Sequence, residues 1–286
     1  ITNKNSYRLV SGKGTRPART KLSKGGLAGA WCWIGLVLVI AIGIPYFSII
    51  ASSLIKLRGY GLAPGNFTLA NYIELFTTDR SLNAIGNSLF LAVSSACICS
   101  VLGTLAVLAV RRSKGRLGKI VEGVSMLPEM LPAIVLVIGI MLFWNAIYKV
   151  IPLYNTMGIM VLAYVVLYLP YTVQYVTSSF TQINDSLLQA GRTFGGSPFY
   201  VFRRVTLPMI SRGVLAGWMM IFIIAFRELV TASLIAPPNV LVVSTYINRE
   251  FEQGSVSLGM AMAVLCVLIT TTALLIMNTV TEREKK

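Results

Sequence analysis

Long apolar runs without charges are the feature that most constrains this sequence. A helix that crosses a membrane needs about 20 mostly apolar residues. Six runs of that order recur along the chain, at 27–53, 85–110, 126–146, 158–176, 213–235 and 258–280. Only 12% of the 286 residues are charged, too few to cover the surface of a soluble protein. Because the runs are continuous and lack the alternation of a β-barrel strand, the sequence predicts an all-α integral membrane protein with six transmembrane helices.

The basic residues predict how these helices are oriented. Of the 25 Lys and Arg residues, 19 lie in the N-terminal segment, the second and fourth loops and the tail, and 5 lie in the other loops. Basic loops stay on the cytoplasmic side, so both termini are predicted to be cytoplasmic. The formal net charge of +15 therefore marks orientation and attraction to anionic membrane lipid, and no nucleic-acid partner is expected.

The residue types argue against an enzyme. The chain has no histidine, and its four cysteines lie within apolar runs, as buried structural thiols do. No catalytic residue and no metal site are predicted. Gly12-Lys13 fails as a phosphate-binding loop, because Tyr7 stands where that loop needs a glycine. We therefore expect no cofactor on this chain and ATP hydrolysis on a separate subunit.

The predicted cytoplasmic loop 181–212 has an ordered pattern. Helix-compatible residues are followed by a break, a helix start, a short aromatic helix and a stop, at Gly195-Gly196, Ser197-Pro198, Phe199 onward and Leu207-Pro208. Such a loop either projects as a knob that binds a protein partner or rests its aromatic side chains on the membrane surface.

The same loop resembles a known motif. Gln189-Ala190-Gly191, then three residues and Gly195, then nine residues and Val205-Thr206-Leu207-Pro208, has the spacing of the EAA loop of binding-protein-dependent ABC importer permeases. Gln189 stands where that family has Glu. The resemblance implies the type I importer permease fold and a coupling helix that docks on the ATPase. The implied docking residues are Gln189, Ala190, Gly191, Gly195, Ser197, Pro198, Phe199, Arg203, Arg204, Leu207 and Pro208.

Further segments resemble the ferric-iron branch of these permeases, among them "LPEMLPAIVLVIGIML", "FRELVTASLI" and the basic "SGKGTRP". This implies the C-terminal half of a fused twelve-span permease, or a trimmed half permease. The implied parts are a basic segment or linker at 1–26, a permease domain at 27–280 and a tail at 281–286. The implied partners are an ATPase dimer carrying ATP and Mg, a second permease half and an extracytoplasmic binding protein, in a bacterial inner membrane. Ferric iron is the expected cargo, with polyamine, thiamine or phosphonate as alternatives.

Charged residues inside the predicted spans suggest a translocation pathway. Arg227 and Glu228 fall in the fifth span, where each charge costs at least ~2.5 kcal/mol, and on a helix they would point in different directions. They either line the pathway or lie near the interface, with Arg227 reaching headgroups and Glu228 paired to a neighbouring helix. Glu129 lies between Pro128 and Pro132 in a span that these prolines bend. It either marks a substrate site or is a solvated carboxylate near the inner end of a helix that is kinked for packing.

Tyrosines recur at helical spacing along the fourth span, at Tyr164, Tyr168, Tyr171 and Tyr175. They serve helix packing or line the pathway, and Tyr171 is the candidate for the second role. A secondary transporter driven by an ion gradient remains an alternative, but it would need more intramembrane carboxylates and a repeat. A membrane-embedded enzyme is the least supported reading.

Overall fold

A computed structural model describes residues 23–113, 116–181, 183 and 185–283 of the chain. The chain divides into two compact units, Ile1–Ser48 and Ile49–Lys286. Most of the predicted N-terminal segment 1–26 and the last three residues of the tail lie outside the described residues. Helix α1, Lys24–Leu38, and a π-helical turn, Val39–Gly43, belong to the first unit, and helix α2, Ile44–Ser53, begins in the first unit and ends in the second. The exposed apolar surface of α1 is what a lipid-facing helix presents.

The second unit contains the remaining helices: α3 Ala70–Thr77, α4 Asp79–Arg112, α5 Arg116–Met130, α6 Ala133–Ala146, α7 Met157–Thr181, α8 Asp185–Thr193, α9 Pro198–Val201, α10 Leu207–Phe226, α11 Val230–Ile235, α12 Val243–Gln253 and α13 Val256–Arg283. Among the described residues there is no β-strand beyond one bridge between Ile55 and Phe67. Among the described residues, five helical stretches are long and apolar enough to span a membrane, and six if the bent pair of α5 and α6 counts as one span. The all-α membrane fold predicted from the sequence is confirmed.

Three long helices, α4, α7 and α10, form the centre of the second unit. Small residues bring their backbones close. Thr172 on α7 is fully buried between Gly103 of α4 and Gly217 of α10, at positions where an added Cβ would meet Thr172 atoms at 2.7 and 3.1 Å. Close approach of this kind is typical of helices that pack within a membrane.

The third span is broken, as its two prolines predict. Helix α5 ends at Met130 and α6 begins at Ala133, and the two are bent by 108°. Pro128 lies inside α5 and Pro132 immediately precedes α6. Each proline lacks the backbone N–H that a continuous helix needs, so the hydrogen-bond ladder ends here.

The fifth span differs from the prediction at both ends. The helix does not stop at Leu207-Pro208, because the turn Phe202–Thr206 is π-helical and accommodates Pro208, giving one helical stretch, Pro198–Phe226. It also does not continue to residue 235. Helix α10 ends at Phe226, and residues 227–229 separate it from α11. Arg227 and Glu228 therefore lie in a break and not on a continuous helix. Helical geometry, from which their side chains are expected to diverge, does not apply to them.

Candidate functional site

The loop after α7 folds by local signals that the sequence carries. Helix α8 ends in a turn in which Gly195 has a φ of +80°, and the Gly196 N–H donates to the Gly191 carbonyl at 3.1 Å. This is the hydrogen bond of a Schellman cap, whose left-handed position favours glycine. An added Cβ on Gly196 would lie 2.6 Å from the Gly191 carbonyl oxygen. The glycine break predicted at this position is present.

The next helix begins where the sequence predicts. The Ser197 hydroxyl accepts a hydrogen bond from the Tyr200 N–H at 3.2 Å, and Pro198 occupies the first turn, where its missing N–H costs nothing. Val201 is buried and packs close to Gly191 and Gly196, which holds the two short helices together. The residues from Gly195 to Val201 therefore form one compact turn.

This turn leaves aromatic side chains exposed. Phe194 is 92% exposed, Phe199 70% and Tyr200 58%, and Arg203 and Arg204 beside them are also exposed. Aromatic residues and arginine contribute most of the binding energy in protein interfaces. Phe194 was not among the residues singled out from the sequence, because the motif counts its position as one of three unspecified residues. Of the other motif residues, Gln189 is exposed, and the Ala190 side chain lies outside what the structure describes.

The break at 227–229 is held by Glu228. One carboxylate oxygen accepts hydrogen bonds from the Thr231 N–H at 3.0 Å and the Thr231 hydroxyl at 3.2 Å, and the other accepts from the Tyr168 hydroxyl at 2.6 Å. The Ser244 hydroxyl donates to the Glu228 carbonyl. Because the carboxylate takes the Thr231 N–H, it helps end the ladder of α10 and start α11. Adjacent Arg227 is exposed.

The break between α5 and α6 also has a carboxylate. Glu129 lies in the last turn of α5 and accepts a hydrogen bond from Gln174 Nε2 of α7 at 2.5 Å, and both side chains are exposed. Tyr171 is half-buried on α7, between Tyr168 and Gln174. Glu129, Arg227 and Glu228 thus lie in or next to a break, and the Tyr171 ring lies 6.3 Å from that of Tyr168 on α7. Tyr168, Gln174, Thr231 and Ser244 were missed as partners. No local motif marks those partners.

Two of the four tyrosines along the fourth predicted span, Tyr164 and Tyr168, serve helix packing. Both are buried in the core, with ring centroids 5.8 Å apart. They pack between helices, as one of the two readings had it. Within the described residues, no group of three or more His, Cys, Asp or Glu side chains is arranged to hold a metal ion.

Comparison with known proteins identifies the family to which the chain is similar. Residues 100–286 match the family described as the inner membrane component of binding-protein-dependent transport systems. The chain belongs to this family. It is therefore a permease subunit of an ABC importer, a multi-pass inner membrane protein and a transport subunit, as the spacing around Gly195 indicated.

Individual relatives differ in their cargo. The Fe(3+)-transport system permease protein FbpB 2 of Haemophilus influenzae is 28% identical over 236 residues, which are 80% of this chain and 42% of the relative. The chain thus spans less than half the length of that relative. The spermidine/putrescine permease PotC of Escherichia coli K12 is 26% identical over 196 residues, covering 68% of this chain and 72% of PotC. The putrescine permease PotI of the same strain is 27% identical over 186 residues, covering 64% and 66%.

Solved structures share the fold. A bacterial ABC transporter that imports the acidic polysaccharide alginate superposes with a TM-score of 0.73 at 16% identity, over 91% of this chain and 96% of that one. The MetNI methionine ABC transporter gives 0.59 at 15% identity, over 71% and 94%. At these identities the likeness concerns the fold alone.

Proposed function

We propose that the chain forms one half of the translocation pathway of an ATP-driven importer and docks on a separate ATPase through residues 189–208, here named the coupling loop. The observation that carries this proposal is the exposed aromatic turn. Gly195 and Ser197 shape it, and Phe194, Phe199 and Tyr200 project from it. The ATPase dimer binds ATP and Mg, and this chain provides the surface on which the ATPase docks.

The coupling loop is joined directly to the core. Its second helix runs without interruption from Pro198 to Phe226, and α10 is packed against α7. A displacement of the loop by the ATPase is therefore carried along a continuous helix to the break at 227–229. Rigid elements with two discrete arrangements transmit such coupling better than flexible linkers do.

Ferric iron is the cargo that we propose, carried by a binding protein on the outer face. The FbpB 2 relative favours it, and Glu129 offers an exposed carboxylate oxygen, a ligand type suited to hard cations. Tyr171 and Arg227 complete the proposed pathway surface. A polyamine is the second candidate, because PotC and PotI are also relatives. The charge distribution of the sequence supports cytoplasmic termini, and a second permease half completes the pathway.

Cargo is tested by uptake in a strain that lacks the permease gene. Complementation with the wild-type gene is expected to restore uptake of radiolabelled ferric iron and to leave spermidine uptake unchanged. Restored uptake of spermidine without uptake of iron would show that the cargo is a polyamine and not ferric iron. If no complemented strain takes up either ferric iron or spermidine, both proposed cargoes are refuted.

Docking is tested by co-purification of the ATPase with the tagged permease. Gly195→Asp forces a side chain into a left-handed backbone position and is expected to abolish co-purification. Gly65→Asp is the matched control, since Gly65 has a φ of +85° and, like Gly195, open space around it, but lies outside the coupling loop. Equal recovery of the ATPase with both variants would contradict the docking role.

A further inference from the structure

Helix α7 contacts both breaks through one polar side chain each. The Tyr168 hydroxyl donates to Glu228 at the break between α10 and α11, and the Gln174 amide donates to Glu129 just before the break between α5 and α6. The breaks belong to different spans, yet the hydrogen bonds come from positions six residues apart on one helix. These two contacts are named here the α7 latches.

The spacing explains how one helix reaches two neighbours. Six residues correspond to about 9 Å along a helix axis and to directions that differ by about 120°. Helix α7 packs against α5 and against α10, so the two side chains point to separate partners. Pro170 lies between them inside α7 and removes one backbone donor from that stretch.

The chemistry of Glu228 favours a positioning role over a cargo ligand. Both of its carboxylate oxygens already accept hydrogen bonds from protein donors, three in all. Two of these donors belong to Thr231, in the first turn of α11, and the third belongs to α7. The carboxylate therefore ties the start of α11 to α7. In an apolar surrounding, a hydrogen bond to a charged acceptor is stronger than it is in water.

The helices beyond the two breaks contact each other. Helix α6 follows the first break, α11 follows the second, and α6 packs against α11. Both latches thus act next to the same pair of segments.

We propose that Tyr168 and Gln174 are positioning residues of the transport cycle, which hold the α6 and α11 pair in register with α7 through Glu228 and Glu129. The proposal rests on the permease function and not on the identity of the cargo. Transport requires that ATP hydrolysis on the ATPase be converted, through the coupling loop, into movement at the breaks. Without the latches, hydrolysis continues and movement of the pair is no longer tied to it.

The first test removes a single hydroxyl. The permease with its second half, the ATPase and the binding protein are reconstituted in proteoliposomes, and iron uptake and ATP hydrolysis, with and without iron-loaded binding protein, are measured together. Tyr168→Phe is expected to lower uptake per ATP hydrolysed about tenfold, the effect of losing one hydrogen bond to a charged group. Tyr164→Phe, one turn away in the same buried stripe, is the control and is expected to keep the wild-type ratio. Equal ratios for the two variants would overturn the role of Tyr168.

The second test exchanges the partners of the other latch. Gln174→Glu places two carboxylates together and is expected to lower the ratio, and the double variant Gln174→Glu with Glu129→Gln restores an amide and carboxylate pair and is expected to recover it. A role that merely stabilises the fold would change complex yield and melting temperature, and these are measured alongside. A double variant as poor as Gln174→Glu alone would overturn the latch between Gln174 and Glu129.

The two proposals fail in different ways. If the wild-type complex takes up no iron, the proposed cargo is wrong, and the ratio of uptake to ATP hydrolysis is measured for the same variants with spermidine, the second candidate cargo. If iron is transported and all variants keep the wild-type ratio, the cargo stands and the latches are refuted. If Tyr168→Phe fails to assemble, the Gln174 and Glu129 exchange decides.

Discussion

The contact between α7 and α10 at Gly213 gives a prediction that follows from geometry alone. A Cβ added at Gly213 would lie 2.7 Å from the backbone carbonyl oxygen of Tyr175 and 2.8 Å from Ser179 Cβ. Ordinary van der Waals contact begins at 3.4 Å, so Gly213→Ala requires the added Cβ and the Tyr175 oxygen to move apart by about 0.7 Å. The Tyr175 atom at this contact belongs to the backbone, so no side-chain rotation can relieve the clash. The two helices themselves must move apart.

The expected cost is that of overpacking a well-packed interface, about 1–3 kcal/mol. A helix gains about 0.5–1 kcal/mol when glycine is replaced by alanine, which offsets part of it. The control is Gly86→Ala on α4, where an added Cβ meets nothing within 4 Å and only the gain remains. At about 2–4 °C per kcal/mol, Gly213→Ala is expected to unfold several degrees below wild type.

Thermal unfolding of the permease purified in detergent, followed by circular dichroism, measures the difference between the two variants. Gly213→Ala is expected to melt below wild type and Gly86→Ala at or above it. If both alanine variants melt at or above the wild-type temperature, α7 and α10 are not packed backbone against backbone at this position, and the reasoning is refuted.

Three further outcomes are expected. Ser197→Ala removes the cap of α9 and costs about 1 kcal/mol locally, seen as faster hydrogen exchange at the Tyr200 amide, with Ser211→Ala as a control that should leave that exchange unchanged. Arg80→Ala removes the ion pair with Glu250 at 3.6 Å and the contact with the Tyr246 ring, and it should lower the melting temperature less once Glu250 is Gln, because only the ring contact is then lost. Burial first, and then the Glu250 charge, raises the pKa of Tyr246 from 10.0 to about 12. Its neutral form is favoured in the folded chain, so stability is lost as pH rises from 10 towards 12, and Tyr246→Phe should reduce that loss in pH-dependent melting.

The sequence predicts features whose cause is local. The break at Pro132 follows from two prolines, and the turn at Gly195 and the cap at Ser197 follow from residue types that favour those conformations. Hydropathy locates the spans because the membrane requires apolar length and little else. These features need no partner that is distant in the sequence.

The features that escaped prediction depend on distant contacts or on a rare turn. No glycine or proline marks the break at 227–229, which is stabilised by Tyr168, sixty residues earlier, and by Ser244. The continuation of the helix through Pro208 depends on a π-helical turn that no residue pattern announces. Arg227 is exposed, whereas Glu228 is engaged by three donors. One of these donors lies on the neighbouring helix α7, a pairing that was one of the two alternatives for Glu228 but whose partner no pattern in the sequence identifies.

The packing of α10 indicates where the transport movement occurs. Gly213 and Gly217 press α10 against backbone and Cβ atoms of α7, so we infer that these two helices move as one body when the coupling loop is displaced. Relative movement then takes place at the breaks, where the hydrogen-bond ladders are already interrupted. An added Cβ on Gly217 lies 3.6 Å from Thr172 Cβ, a separation that a disulfide tolerates. In a background without the native cysteines, a disulfide between Thr172→Cys and Gly217→Cys is expected to form and to leave transport intact. If transport stops on oxidation and resumes on reduction, α7 and α10 slide past each other, and the breaks are not where the movement occurs.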